Sequence, residues 1–304
     1  MNTVIVTGAN GFIGTWLCKA LNEKGVKTYA VLRSEESYVD ELKALEHCIP
    51  VFCDMEHVEG LKDLISETEI DVLYHLAWGG VSGANRGDYH LQLKNVEQTM
   101  DVIRVASQMN CKRFVGTGST AEYDAYNACR EDGLSPELVS LYGTTKITAH
   151  FMSKTLCKSL GMEHVWAYVG NTYGCENMGS NFISFAAKQI LSQDDAKFTA
   201  GEQNYDFVHV SDIAEGLYCV GERGKDKYAY YVGSGHPRKL KEYVIALRDA
   251  LNPTKELLLG AIPFHGRSAE LSDFDVTKIH EDTGYEAKVS FEEGARRIAE
   301  YHKR

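Results

Sequence analysis

The chain has 304 residues, 44% of them hydrophobic and 25% charged, with a formal net charge of −11. That size suits one large domain or two coupled ones, and the composition excludes collagen-like, disordered and coiled-coil chains. The acidic balance disfavours nucleic acid as a partner, since phosphate backbones want a basic face, while a local basic site for a small phosphorylated ligand stays open.

The first element follows almost at once, with no basic-then-apolar leader before Thr3-Val4-Ile5-Val6. Apolar, β-rich runs lie at Thr3–Thr7, Lys27–Leu32, Ile49–Phe52, Val72–Leu76, Arg113–Gly116 and His164–Val169. Helix-period segments alternate with them at Phe12–Lys24, Glu35–Glu46, Glu56–Ser66, Tyr89–Met109 and Val139–Leu160. Strands separated by helical crossovers predict a doubly wound parallel α/β sheet with its ligand at the carboxyl ends of the strands. After about residue 170 the alternation weakens. A loop over Gly174–Gly179 precedes a helix at Asn181–Ser192, a strand pair at Lys197–Thr199 and Asp206–Val210, and a helix at Ser211–Gly221. A strand at Tyr228–Val232 and helices at Leu240–Leu251 and Phe291–Tyr301 complete the chain. The expected organisation is a nucleotide-binding part, residues 1–170, and a smaller, mainly helical substrate region, 171–304, with some segments returning to the sheet. No apolar run approaches the roughly 18 residues needed to cross a bilayer, so no membrane partner is expected.

The eight cysteines form no CxxC pair, and the eleven histidines show neither HExxH nor metal-ligand spacing. Reduced thiols in a cytoplasm, with no metal site, are the expectation.

Gly8-Ala9-Asn10-Gly11-Phe12-Ile13-Gly14 joins the first strand to the first helix. Here a tight turn, close backbone approach and a helix N-terminus together suit a pyrophosphate. The second strand ends at Arg33-Ser34, where an NAD-selecting chain usually carries an acid; a guanidinium can bind a 2′-phosphate, which favours NADP over NAD. Asp54, after the third strand, can N-cap the helix that follows, whatever else it binds. Asn95 lies within a long helix, where it is either exposed or a brace for nearby backbone.

Tyr142 and Lys146 stand at i and i+4, on one face of a helix. An ammonium beside the phenol, together with the positive charge of an oxidised nicotinamide, is expected to lower its pKa from the usual value of about 10. Ser119 ends a strand 23 residues earlier and can position a reacting oxygen, with Thr117 and Thr120 as competitors.

The glycine turn, Asp54, His75-Leu76-Ala77, Ser119, Tyr142/Lys146 and Asn171-Thr172-Tyr173-Gly174 stand in order over nearly the whole chain. This array resembles extended short-chain dehydrogenases/reductases of the nucleotide-sugar epimerase/dehydratase family. The resemblance implies a Rossmann sheet, a Ser119–Tyr142–Lys146 triad and a homodimer formed through the two long helices. It places the cofactor against Gly8, Asn10, Gly11, Phe12, Ile13, Gly14, Arg33, Ser34, Asp54, Met55, Leu76, Ala77, Trp78, Asn95, Thr117, Tyr142, Lys146, Val169 and Thr172. It places the substrate against Trp78, Ser119, Thr120, Asn171, Asn181, Tyr205 and Arg267.

Two departures bear on the reaction. Dehydratases of the family carry a Glu where this chain has Ala121; Glu122 comes one place later and, in an extended segment, would face the other way, which disfavours dehydration. Tyr205 replaces an arginine that usually holds the diphosphate, and Arg267 could serve in its stead. The segment Asp206–Asp212 can equally be a strand with a helix cap at Ser211 or Asp212 and a packed His209. The resemblance and Arg33 together imply NADPH-dependent reduction of a 4-keto nucleotide sugar, as in bacterial deoxysugar reductases. NAD-dependent 4-epimerisation is the alternative within the class, and a non-catalytic NADP-sensing regulator the alternative outside it.

Overall fold

The computed structural model describes residues 1–130, 132, 136–175, 181–264 and 268–303. Seven parallel strands form the central sheet: β1 (Thr3–Thr7), β2 (Lys27–Leu32), β3 (Cys48–Phe52), β4 (Ile70–His75), β5 (Cys111–Ser119), β6 (Glu163–Val169) and, late in the chain, β11 (Ala229–Val232). Their spatial order is β11-β6-β5-β4-β1-β2-β3, so the winding direction reverses between β1 and β4. In a sheet of this kind the crevice at the reversal is where a ligand binds. The register pairs Thr7 with His75, His75 with Gly116 and Ser119 with Val169. The ends of β1, β4, β5 and β6 therefore open onto one edge.

Apolar residues run along both faces of the strands because helices cover both sides. One face packs against α1 (Phe12–Glu23), α2 (Asp40–Lys43), α8 (Val210–Arg223) and α10 (Thr277–Thr283) through Leu17, Leu42, Leu217 and Ile279. The other packs against α3 (Leu61–Leu64), α4 (Tyr89–Gln108) and α6 (Leu141–Leu160) through Leu61, Val102, Ile103, Ala149 and Cys157. A third core, built from α7 (Phe182–Leu191), α9 (Leu240–Leu251) and α11 (Phe291–His302), forms the smaller region. Short strand pairs decorate it: β10 (Phe207–His209) with β7 (Asn171–Tyr173), β12 (Arg238–Lys239) with β9 (Asn204–Tyr205), and β13 (Leu257–Leu259) with β8 (Ala196–Phe198).

The expected α/β sheet is present, with differences in detail. Glu35–Glu46 and Glu56–Ser66 are not continuous helices. The first is a 3₁₀ turn followed by the four-residue α2, and the second is a 3₁₀ segment interrupted at His57 before α3. Neither segment presents a full apolar stripe: Leu42 is the buried residue of α2, and Leu64 is exposed. The segments expected to pair as β8 and β10 instead bond β13 and β7, respectively. β5 runs on through Ser119, and the segment after it, treated as extended from the sequence, is the helix α5 (Ala121–Ala128). Part of the loop expected at Gly174–Gly179 lies outside the described residues.

Candidate active site

The glycine turn is shaped by close contact. Gly8 has φ +67°, and a Cβ there would stand 2.8 Å from the Ala77 amide nitrogen. A Cβ on Gly14 would meet the Gly8 carbonyl at 2.2 Å. The first residues of α1 thus sit tight against the end of β1, and Gly11, its N-cap, offers no side-chain acceptor to the free N–H groups of the first turn. Open N–H groups and the positive end of the helix face a cleft of about 550 Å³. A dinucleotide pyrophosphate fits this arrangement.

Gly8, Asn10, Gly11, Arg33, Asp54, Met55, Leu76, Ala77, Trp78 and Asn95 line the cleft. Phe12, Ile13 and Gly14 set the helix behind it, and Ser37 rather than Ser34 reaches its wall. Arg33 is 82% exposed at its side chain and lies 3.4 Å from Asp54. The other Asp54 oxygen accepts from the Glu56 amide, so the expected N-cap role holds. Asn95 is buried and exchanges two hydrogen bonds with Gly79, each 2.9 Å. It braces the backbone beside Trp78 and is not an exposed helix residue.

Gln92, one turn earlier on the same face of α4, is a residue the sequence reading missed. It accepts from Trp78 Nε1 at 3.0 Å and donates to the Gly80 and Asn85 carbonyls. Its spacing of i, i+3 from Asn95 on a buried helix face was the available signal.

Tyr142 and Lys146 leave the same face of α6 and are both buried. Ser119 Oγ accepts from the Ala121 amide at 3.2 Å, and the Ser119 side chain acts to lower the pKa of the Tyr142 phenol. Of its competitors, Thr117 donates its hydroxyl to the His75 carbonyl at 2.9 Å, and Thr120 is the N-cap residue of α5. Lys146 Nζ donates to the Thr117 carbonyl at 2.7 Å and lies 3.7 Å over the Trp78 ring. Trp78 meets Tyr142 edge-on, with ring centroids 6.4 Å apart, and the Arg86 guanidinium lies 4.7 Å from the phenol ring. Arg86 is a second residue that the sequence reading did not single out.

Burial raises the Tyr142 pKa, and Ser119 and the Arg86 charge only partly oppose it. Burial also brings Lys146 down to about 7, so the lysine is poised between charged and neutral forms near neutral pH. His75, behind them, is pushed down to about 3 by burial and by Lys146. It lies between Thr7 and Thr99 at 2.9 and 3.1 Å.

The expected substrate residues divide. Trp78 and Ser119 stand at the triad. Thr172, expected at the cofactor, turns its hydroxyl back to the Gly170 carbonyl. Asn181 caps α7, accepting from the Ser184 amide at 2.8 Å. Tyr205 stacks on Phe207 at 5.3 Å, within an aromatic cluster with Phe182. Asp206 is fully buried, accepting from the Tyr231 phenol and the Ser234 amide, both at 2.8 Å, and from the Ser234 hydroxyl. His209, rather than Ser211 or Asp212, caps α8, through Nδ1 and the Ser211 amide. Asn171 begins β7 with its side chain half-buried, and Arg267 lies outside the described residues.

Among the described residues no helix is long and apolar enough to cross a membrane. UDP-glucuronate 4-epimerase of Thermodesulfobacterium geofontis is 22% identical, covering 100% of this chain and 97% of that protein. CDP-abequose synthase of Salmonella typhimurium is 24% identical over 82% of this chain and 81% of its own. The solved UDP-glucuronic acid 4-epimerase from Bacillus cereus, in complex with UDP-4-deoxy-4-fluoro-glucuronic acid and NAD, superposes with a TM-score of 0.79 at 20% identity over 99% of each chain. The model of the NAD dependent epimerase/dehydratase family matches residues 4–233. With its parallel sheet, glycine turn and Tyr142–Lys146 face, the chain is thus an enzyme of the NAD dependent epimerase/dehydratase family.

Proposed function

We propose that the protein reduces the 4-keto group of a nucleotide-activated sugar with NADPH, using Ser119, Tyr142 and Lys146. The observation that carries this reading is the triad itself: a buried phenol whose pKa burial raises, the Ser119 side chain acting on it, and a buried lysine one turn on. The cleft residues Gly8, Asn10, Gly11, Asp54 and Ala77 would hold the dinucleotide, and Arg33, exposed at the rim, would meet a 2′-phosphate. The cofactor would supply hydride. Tyr142 then donates its proton to the sugar oxygen, and Ser119 holds that oxygen in line. Lys146, charged below about pH 7, stabilises the phenolate left behind. Trp78 walls the sugar side.

A second reading is NAD-dependent 4-epimerisation. Named 4-epimerases among the relatives favour it, as does Asp54, an acid that already neutralises Arg33 where a 2′-phosphate would sit. Whether a dehydration could also occur turns on Glu122, which faces the core and not the cleft; that supports its exclusion. Free cysteines throughout fit the cytoplasm as the working compartment. Exposed Leu93 on α4 and Phe151 and Met152 on α6 support a homodimer through those helices.

The deciding experiment offers UDP-, CDP-, dTDP- and GDP-sugars, including 4-keto forms, with NADPH or NADH, while following reduced nicotinamide fluorescence. Reduction predicts stoichiometric loss of NADPH with a 4-keto substrate. Interconversion of C4 epimers with no net loss of added coenzyme would replace it with the second reading.

A further inference from the structure

Behind the triad lies a carboxylate that neither reading uses. Glu122, in the first turn of α5, is 3% exposed. Its Oε1 accepts from the Ser119 amide at 2.9 Å and from Trp166 Nε1 at 3.2 Å. Its Oε2 has no hydrogen-bond partner and lies 3.8 Å from His150 Nδ1. The backbone makes room for this group. A Cβ on Gly118 would lie 2.3 Å from both Glu122 Oε1 and Trp166 Nε1, and a Cβ on Gly116 would meet the Trp166 ring at 2.2 Å. A Cβ on Gly143 would press the Ala121 carbonyl at 2.2 Å, so α5 lies directly on the face of α6. On that face Tyr142, Lys146 and His150 repeat every four residues, bringing all three toward the carboxylate.

A buried carboxylate is costly unless its neighbours use it. Two amide or indole donors satisfy one oxygen; the other is left facing a stack in which His150 lies flat on Trp166, with ring centroids 4.6 Å apart. The charged and titratable groups around it come from three elements: Tyr123 on α5, Tyr142, Lys146 and His150 on α6, and Tyr168 on β6. Arg86 faces Tyr142 from the opposite side.

We propose that Glu122 is a positioning residue for the triad: it anchors the Ser119 turn through the backbone amide and sets a fixed negative charge behind Tyr142 and Lys146. The charge adds to burial in holding the proton on the phenol and opposes burial at the lysine, favouring the ammonium beside a proton donor. Geometry and electrostatics agree here, since Glu122 acts to raise both groups. This rests on Tyr142 and Lys146 being the catalytic pair.

The test uses the isosteric variant Glu122→Gln, which keeps the Oε1 acceptor and removes the charge. Tyr142 is titrated as the tyrosinate absorbance lost on adding Tyr142→Phe, in wild-type and Glu122→Gln backgrounds, with NADP⁺ or NAD⁺ bound. Tyr142 is expected to titrate lower by at least about half a pH unit in Glu122→Gln, as for loss of a nearby buried charge. The alkaline limb of turnover on the active panel sugar, set by Lys146, is expected to move down as well, because the same charge raises the lysine. A purely structural Glu122 would move neither, and an unchanged or upward titration overturns the proposal. Glu122→Asp keeps the charge but withdraws it from the Ser119 amide. Its turnover is expected to fall about tenfold or more while coenzyme affinity holds, whether or not Glu122→Gln folds; wild-type turnover in Glu122→Asp also overturns the proposal. The two failures are distinct: full turnover in Tyr142→Phe would remove the triad reading, while the tyrosinate titration reports on Glu122 alone.

Discussion

The two regions of the molecule spend their polar residues differently. At the ends of β1, β4 and β5 the backbone is held back so that polar groups face a cleft: Gly8 admits Ala77, Asn95 clamps Gly79, and Lys146 reaches the Thr117 carbonyl. In the smaller region the residues most like a substrate site are consumed by the fold. Asp206 ties Tyr231 and Ser234, Asn181 and His209 cap helices, and Tyr205 is part of an aromatic stack. A motif therefore carries different information in the two places. Where it fixes backbone geometry it locates a site; where it supplies caps and buried acceptors it first of all locates a scaffold.

The comparison can be broken by mutation, starting with the largest effect. Lys146→Met should lower turnover by at least about 100-fold, since it removes the charge that stabilises the phenolate, with the urea midpoint little changed because an apolar side chain replaces a desolvated amine. A steady-state assay checks it, and an equal loss of stability and activity would put Lys146 with the scaffold. Asp206→Ala should do the reverse. It strands the Tyr231 phenol and the Ser234 amide and should cost about 2–4 kcal/mol in urea unfolding, with coenzyme affinity unchanged.

Acidity sharpens the same contrast. Burial holds Lys146 at about 7, so its ammonium is complete below that pH and lost above it, while Tyr142, raised by burial, stays protonated throughout. The rate of ketone reduction should fall about tenfold per unit as pH rises beyond 7. A rate flat to high pH would mean that bound coenzyme moves the lysine up. The smallest effect is expected at the rim. Arg33→Ala should weaken NADP(H) by about tenfold or less and NAD(H) hardly at all, since the side chain is mostly in water. Equal effects in fluorescence titrations would sink the phosphate role.

Legibility followed the same division. The order of β1 to β6, the glycine turn and the Tyr142–Lys146 face could all be read because period and glycine geometry are local properties. The helix α5 could not, because Thr120-Ala121-Glu122-Tyr123 carries no strong period and its start is fixed by packing on Gly143. Glu122 still turns away from the cleft as expected, but from a helix, with its carboxylate in the core. Gln92 and Arg86 escaped notice because their roles depend on distant partners, Trp78 and Tyr142, that sequence spacing does not bring together. The upward pull of burial on Tyr142 was not legible because the depth of burial is a property of the packed fold.

The proton relay is tested most directly by a single-turnover mix of enzyme, NADPH and the active 4-keto sugar, comparing wild type with Tyr142→Phe. The account predicts that NADPH binds both alike and that its oxidation slows by at least about 100-fold in the variant, the scale for losing a general acid. Oxidation at the wild-type rate in Tyr142→Phe would show that the proton comes from another group.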